Sequence, residues 1–415
     1  MRILVVSPYL PHRRVGHGGG VAVRDLLRAL GRHHDVTAAC LVRAGEAALV
    51  DEVRELGVAV EPLPFRDRRA AGRERLALWR ERAAAAARSA SSGYPLYVEK
   101  YWTPALAARL ADVVDRVRPD VVQVEYLQLA LHCRDLQARR RGGRPALVLN
   151  THELGSLPRE RRARLAAHPV ARARARAEAR RWRRLQVAAT GWADRTLCVT
   201  PQDRDLLAAM GGERLETVPL GMDLEAVRPD WSPAAGGCEV LFVGSFQHAP
   251  NRSGARELVE AVWPRVRAER PDARLTLAGR GSDGFLAGLG GDGAAAGIAA
   301  RGFVDDLEPL FRSCHVFAAP LTEGGGIKIK VLEALARGVP VVTTEVGAEG
   351  IAGADGEALL VSPPGAPFAA AVLRVAGDPE LAARLAAGGR RLMEGRFGWA
   401  AIAGRLSALY AELAG

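Results

Sequence analysis

Three consecutive glycines, Gly324, Gly325 and Gly326, stand just ahead of two lysines, Lys328 and Lys330, in the run LTEGGGIKIKVLEALARG, residues 321 to 338. Glycines let backbone N–H groups approach an anion closely, and a helix starting near Lys330 turns its positive end toward the same point. Lys330 is then placed to hold a phosphate, and Lys328 is a second candidate cation. Glu333, one turn into the helix, can accept from two ribose hydroxyls. The preceding HVFAAPL, 315 to 321, reads as a buried strand, so Thr322 to Gly326 lie just past its carboxyl end, where open parallel sheets bind ligands. The plainer alternative is a Gly-rich turn with surface lysines; it explains each signal separately but not their convergence.

Other candidates are single signals. NTHELGS, 150 to 156, ends a buried strand with His152 on the ligand side of a parallel sheet, either as a turn residue or as a group facing substrate. VGHGGGVAVRDLLRAL, 15 to 30, puts glycines between the first strand and its helix, as a plain turn or as a loop that admits a ligand to the backbone. GRGSDG, 279 to 284, fits G-x-G-x-x-G but lacks an acidic residue at the end of the next strand, so a dinucleotide reading is weak. The chain has no G-x-S-x-G, no H-E-x-x-H, no G-x-x-x-x-G-K-[ST] and no Asp-x-Asp pair at a strand end. That argues against serine hydrolysis, zinc proteolysis, ATPase activity and a metal-bridged diphosphate. Five scattered cysteines without C-x-x-C or nearby histidines predict neither a structural zinc nor disulfides.

The elements that must position these residues alternate as in parallel sheets with crossover helices. RILVVSP (2–8), DVTAACLV (35–42), VAVEPLP (58–64), DVVQVEY (120–126), PALVLNTH (145–152) and RTLCVT (195–200) are strand candidates. The series restarts with EVLFVGS (239–245), ARLTLAGRG (273–281), HVFAAPL (315–321), VPVVTTE (339–345) and EALLVSP (357–363). Two doubly wound α/β domains follow: 1–226, a linker 227–238, a second domain 239–396, and a C-terminal helix, 397–415, packing back on the first. The segment 287–297, AGLGGDGAAAG, reads as a mobile surface loop.

The formal charge of +11 suits anionic partners but does not choose among nucleotides, nucleic acid and lipid. Two Arg-rich stretches, 66–88 and 159–185, read as helices because Ala and Arg are strong helix formers. Their charge is read either as a solvated face or as a face for anionic lipid headgroups or a polyanionic acceptor. No nucleic-acid-binding motif accompanies it, so nucleic acid is not an expected partner. MRILVVSPYLP is too short and Pro-interrupted to be a signal peptide or a span, which predicts a cytoplasmic protein, with peripheral contact at the inner face of the membrane through the Arg-rich helices.

Taken in order, VLFVGSFQHAPN, LTLAGRG, ARGFVDDLEPLFRSCHVFAAPL and EGGGIKIKVLEALARGVPVVTT resemble the donor domain of retaining glycosyltransferases of family 4. GHGGGVAVRDLLRALGRHHDVT, RPDVVQVEY, THE and ETVPLGMD are similar to that family's acceptor-side domain. The resemblance implies the GT-B fold, two Rossmann-like domains facing a cleft. It implies a nucleoside-diphosphate sugar as substrate, with base and ribose against Arg280, the Phe303 and Val304 backbone and Glu333. The diphosphate would lie near Ser245 and Lys330, in the subgroup whose signature covers Gly244, Ser245, Asn251 and G-I-K-x-K. The donor sugar would meet Gly325, Gly326 and Ile327, with Gly19 and His152 facing it. Aligning the family's paired glutamates on Glu333 puts Gly325 at the first position, and Glu323 lies two residues upstream, as a further candidate for the sugar.

The sequence therefore predicts a retaining, metal-independent glycosyltransferase without a cofactor, its donor a nucleotide sugar and its acceptor a saccharide, a lipid-linked saccharide or a small molecule. His152 and Lys330 are the catalytic candidates. A nucleotide-sugar epimerase of the same fold and a non-catalytic basic binder are the rival readings.

Overall fold

A computed structural model of the chain describes all residues except 16, 17, 69, 71, 226, 291, 292, 294, 295 and 352–354. The chain divides into two compact units. The first comprises Met1–Val15, Gly19–Pro219 and Ala400–Gly415, and the second Leu220–Trp399 together with Gly16–Gly18.

The first unit is built on seven strands: β1 (Arg2–Ser7), β2 (Asp35–Val42), β3 (Ala59–Pro64), β4 (Val121–Glu125), β5 (Ala146–Asn150), β6 (Arg195–Cys198) and β7 (Leu215–Thr217). They lie in the order β3-β2-β1-β4-β5-β6-β7, every neighbouring pair parallel. Crossovers bury both faces of such a sheet, so its central strands are apolar runs rather than alternations. Ile3, Leu4 and Val5 of β1 and Val121, Val122 and Val124 of β4 are fully buried, each contributing about 1.5–3 kcal/mol of hydrophobic stabilisation. The strand order reverses between β1 and β4, which opens a crevice at their carboxyl ends.

The second unit repeats the plan with six strands: β8 (Glu239–Val243), β9 (Arg274–Ala278), β10 (Ile298–Ala300), β11 (Val316–Ala319), β12 (Val341–Thr343) and β13 (Leu360–Val361). Their order is β10-β9-β8-β11-β12-β13, again all parallel. Here the switch falls between β8 and β11. Two doubly wound parallel sheets are thus present, as the alternating pattern predicts.

The Arg-rich stretches form helices Gly72–Ser92, Ser156–Leu165 and Pro169–Thr190. ARARARA is helical because side-chain packing on Ala175, Ala179, Trp182 and Leu185 decides the period, not the alternation of letters. The helix Trp399–Ala414 sends its residues from Ala400 onward into the first unit. Ser407 meets His34 at 2.7 Å, Glu412 pairs with Arg195 at 2.9 Å, and the Tyr410 hydroxyl donates to Gln123 Oε1. Two expectations need correction. Ala287–Leu289, read as loop, close the helix Ser282–Leu289, and Gly291, Asp292, Ala294 and Ala295 of that segment lie outside the described residues. Of the N-terminal glycine loop, Gly16 and His17 are likewise outside them, and Gly18, Gly19 and Gly20 already form the first turn of the helix Gly18–Gly31.

Candidate functional site

In the second unit, the chain leaves β8 at Gly244 and Ser245 and enters the helix Ala249–Arg256, which carries Asn251. Close approach requires glycine here. A Cβ on Gly279, at φ 131°, would lie 2.0 Å from the Gly244 carbonyl oxygen, and one on Gly244 would lie 2.8 Å from Asn251 Nδ2. The Asn251 amide nitrogen donates to the Ser245 carbonyl at 2.9 Å, and its amide oxygen accepts from Lys330. Gly244, Ser245, Asn251, Gly279 and Lys330 form one cluster at the switch between β8 and β11.

Lys330 arrives there from the other side. Beyond β11, Gly324 (φ 110°) and Gly326 (φ 67°) adopt left-handed backbone that turns the chain into the helix Ile329–Ala336. Val331, Leu332, Ala334, Leu335 and Ala336 bury the helix's inner face, and Gly338 at φ 68° ends it. Lys330 thus sits in the first turn, its amine 5.6 Å from the Phe242 ring centre. Burial pushes that amine down to about 7, with Lys328 pushing the same way and Glu333 opposing. His248 is also lowered, by burial first and then by Lys330, Arg252 and Lys328. A helix N-terminus and several cations converge on one point, an electrostatic field that an anion relieves.

Lys328, the second candidate cation, is instead paired with Glu349 at 3.2 Å and donates to the Gly326 carbonyl. Its charge is spent on shaping the glycine turn. Arg280 follows β9 and stands 5.4 Å over the ring of Phe303, which is 47% exposed, with Val304 next in the chain. Gly326 and Ile327 are buried, whereas Glu323, Gly325 and Glu333 are half-buried beside the same turn. Among the described residues, no group of three His, Cys, Asp or Glu could hold a metal ion.

Gly19 and His152 belong to the first unit. His152 follows β5 at φ 56° and stacks on Tyr126, which follows β4 at φ 72°, with ring centres 3.7 Å apart and planes 5° apart. Positive φ at non-glycine residues costs about 1–3 kcal/mol each and persists where surroundings impose it, commonly at functional sites. Tyr9, past β1, meets Tyr126 edge-on at 5.4 Å, so the ends of β1, β4 and β5 converge at this unit's own switch. The His152 ring contacts Glu125, the last residue of β4 and fully buried.

Glu125 and the residues around it, Gln123, Asn150 and Tyr410, are not among the candidates that the sequence motifs mark. The signal was present in DVVQVEY: Gln and Glu at alternate positions of a strand buried on both faces must find polar partners.

A family model described as "Glycosyltransferase Family 4" matches residues 16–226, just over half of the chain, and one described as "Glycosyl transferases group 1" matches residues 237–378. The phosphatidyl-myo-inositol mannosyltransferase of Mycobacterium tuberculosis (strain H37Rv) is 31% identical over 221 residues, 50% of this chain and 57% of that protein. The curated relatives among these matches are spanned over 34% to 57% of their own length. Sucrose-phosphate synthase from Thermosynechococcus elongatus superposes with a TM-score of 0.74 at 18% identity, covering 100% of this chain and 99% of that one. HepE from Anabaena, solved in complex with UDP and glucose, gives 0.68 at 14% identity, covering 99% and 100%. At these identities the two likenesses speak to the fold, which is GT-B.

Proposed function

The chain belongs to glycosyltransferase family 4, and from that premise we propose that it transfers a sugar from a nucleoside-diphosphate sugar to an acceptor hydroxyl. The observation that carries this reading is Lys330. Its amine is enclosed at a helix start, at the switch point of the second sheet, and is held by the neutral amide of Asn251 rather than by a carboxylate. A leaving diphosphate supplies a direct anionic partner for this amine. Glu333 takes the ribose, Arg280 and Phe303 the base, and Gly325, Gly326 and Ile327 the sugar, with Glu323 beside it. In the first unit, His152 and Gly19 are the candidate substrate-facing groups.

The reaction proceeds with retention and without metal. The acceptor oxygen bonds to the anomeric carbon on the face from which the phosphate oxygen departs, and the acceptor proton passes to that departing oxygen. The protein's part is orientation and stabilisation of the leaving charge by Lys330, its helix terminus and the backbone of the glycine turn.

The acceptor is a lipid-linked or acidic saccharide, reached at the inner face of the membrane. Two features support this: the mannosyltransferase relative is named for a phosphatidyl-inositol lipid, and the Arg-rich helices expose Leu76 (58%), Trp79 (69%) and Val170 (59%), with Leu165 (76%) at the end of Ser156–Leu165. Arginine beside exposed apolar side chains suits an anionic lipid surface. The test is a panel of nucleotide sugars, each followed for nucleoside-diphosphate release with chelator present, with and without lipid acceptors. Release with one sugar supports the reading, and release with none refutes it.

A further inference from the structure

The fully buried carboxylate of Glu125 sits among groups whose hydrogen-bonding roles fix one another. The Tyr410 hydroxyl donates to Gln123 Oε1, so the Gln123 amide must turn its nitrogen to Glu125 Oε1. The His152 backbone N–H donates to Asn150 Oδ1 at 3.3 Å, so the Asn150 amide must turn its nitrogen to Glu125 Oε2 at 3.1 Å. Both amides therefore give protons to the carboxylate, as does its remaining partner, His152 Nε2. The ring's other nitrogen, Nδ1, is buried and has no hydrogen-bond partner among the described residues, and His152 as a whole is only 6% exposed. Nearly all buried polar atoms in folded proteins are paired, so an orphan on a ring that stacks on Tyr126, at a residue of left-handed backbone and at a sheet's switch point, marks a position that a ligand completes.

We propose that Glu125 is a positioning residue: it holds His152 as the Nε2–H tautomer and thereby presents Nδ1 as the acceptor for a hydroxyl of the bound sugar substrate. The proposal rests on the transferase reading for the identity of that hydroxyl, but the tautomer itself does not depend on it. Gln123 and Tyr410 form the outer part of the same device, tying it to the C-terminal helix.

The test is nitrogen-15 NMR of the full chain labelled at histidine, with the His152 signals identified as those missing from His152→Asn. The expected wild-type result is a protonated Nε2 and an unprotonated Nδ1. In Glu125→Gln one amide oxygen must serve three donors, and the ring is expected to switch to the Nδ1–H tautomer, with kcat falling about tenfold or more and KM for the donor nearly unchanged. Wild-type protein with the proton on Nδ1 overturns the proposal, and this result needs no variant that must fold. So does a folded Glu125→Gln that keeps the wild-type tautomer, or that switches tautomer and keeps the wild-type kcat. A wild-type protein that turns over no nucleotide sugar refutes the transferase reading instead, while the tautomer spectrum still decides the role of Glu125.

Discussion

The ammonium of Lys330 rests on the amide oxygen of Asn251, 79 positions earlier in the chain. Asn251 passes that contact on to the Ser245 carbonyl, so the segments that follow β8 and β11 are joined at the point where the strand order reverses. An amide in this role fixes the cation without cancelling its charge. That distinguishes Lys330 from Lys328, whose charge is met by Glu349.

Lys330→Ala is expected to slow transfer by about tenfold to a few hundredfold, because a charge-assisted contact to the leaving phosphate contributes roughly 1.5–3 kcal/mol. Asn251→Ala leaves the charge in place but frees it to move, so a smaller loss is expected. Initial rates at saturating donor compare the two, and equal rates for wild type and Lys330→Ala would remove this lysine from the mechanism.

The pH dependence follows from the lowered amine, whose value falls from 10.5 to about 7. The charged form, which binds the diphosphate, prevails below about pH 7 and is lost above it. Affinity for the nucleotide sugar should therefore fall as pH rises from 7, by up to about tenfold per unit, with proton uptake on binding. For the ligand-free protein the sign is opposite. Between about 7 and 10.5 the unfolded chain holds a proton that the folded chain has released, so this residue makes folding more favourable as pH rises through that window. Lys330→Met should flatten both slopes, as binding and melting curves from pH 6 to 9 would reveal.

Gly279→Ala tests the close approach that shapes the floor of the site. Its Cβ would lie 2.0 Å from the Gly244 oxygen at a φ of 131°, so backbone must move. A loss of at least about 2 kcal/mol in chemical denaturation is expected, together with weaker donor binding. Gly284→Ala, where an added Cβ meets nothing within 4 Å among the described residues, is the control.

The parts of the fold legible in the sequence are those that a strong apolar period dictates. DVTAACLV coincides with β2, and every proposed strand contains an observed one. The misses, Leu215–Thr217 and Ile298–Ala300, are three-residue edge strands that are mostly half-buried and too short to show a period. Lys330 was legible because glycines, cation and strand adjoin in sequence. The Glu125 network was not, because its members come from β4, β5 and a helix 287 positions from Gln123, and only folding brings them together.

Membrane contact has its own test. Co-sedimentation with vesicles rich in phosphatidylglycerol should exceed that with phosphatidylcholine, weaken as salt rises, and drop in Trp79→Ser combined with Leu76→Ser. Equal binding to both lipids, or none, would return the arginines to the role of a solvated surface.

Calorimetric titration of wild type and Lys330→Ala with a panel of nucleotide sugars, in the presence of chelator, decides whether Lys330 holds the donor diphosphate. One nucleotide sugar is expected to bind the wild type without metal, and the alanine variant to bind it at least about tenfold more weakly. Binding that needs added metal, or that is equally tight in both proteins, would contradict this expectation.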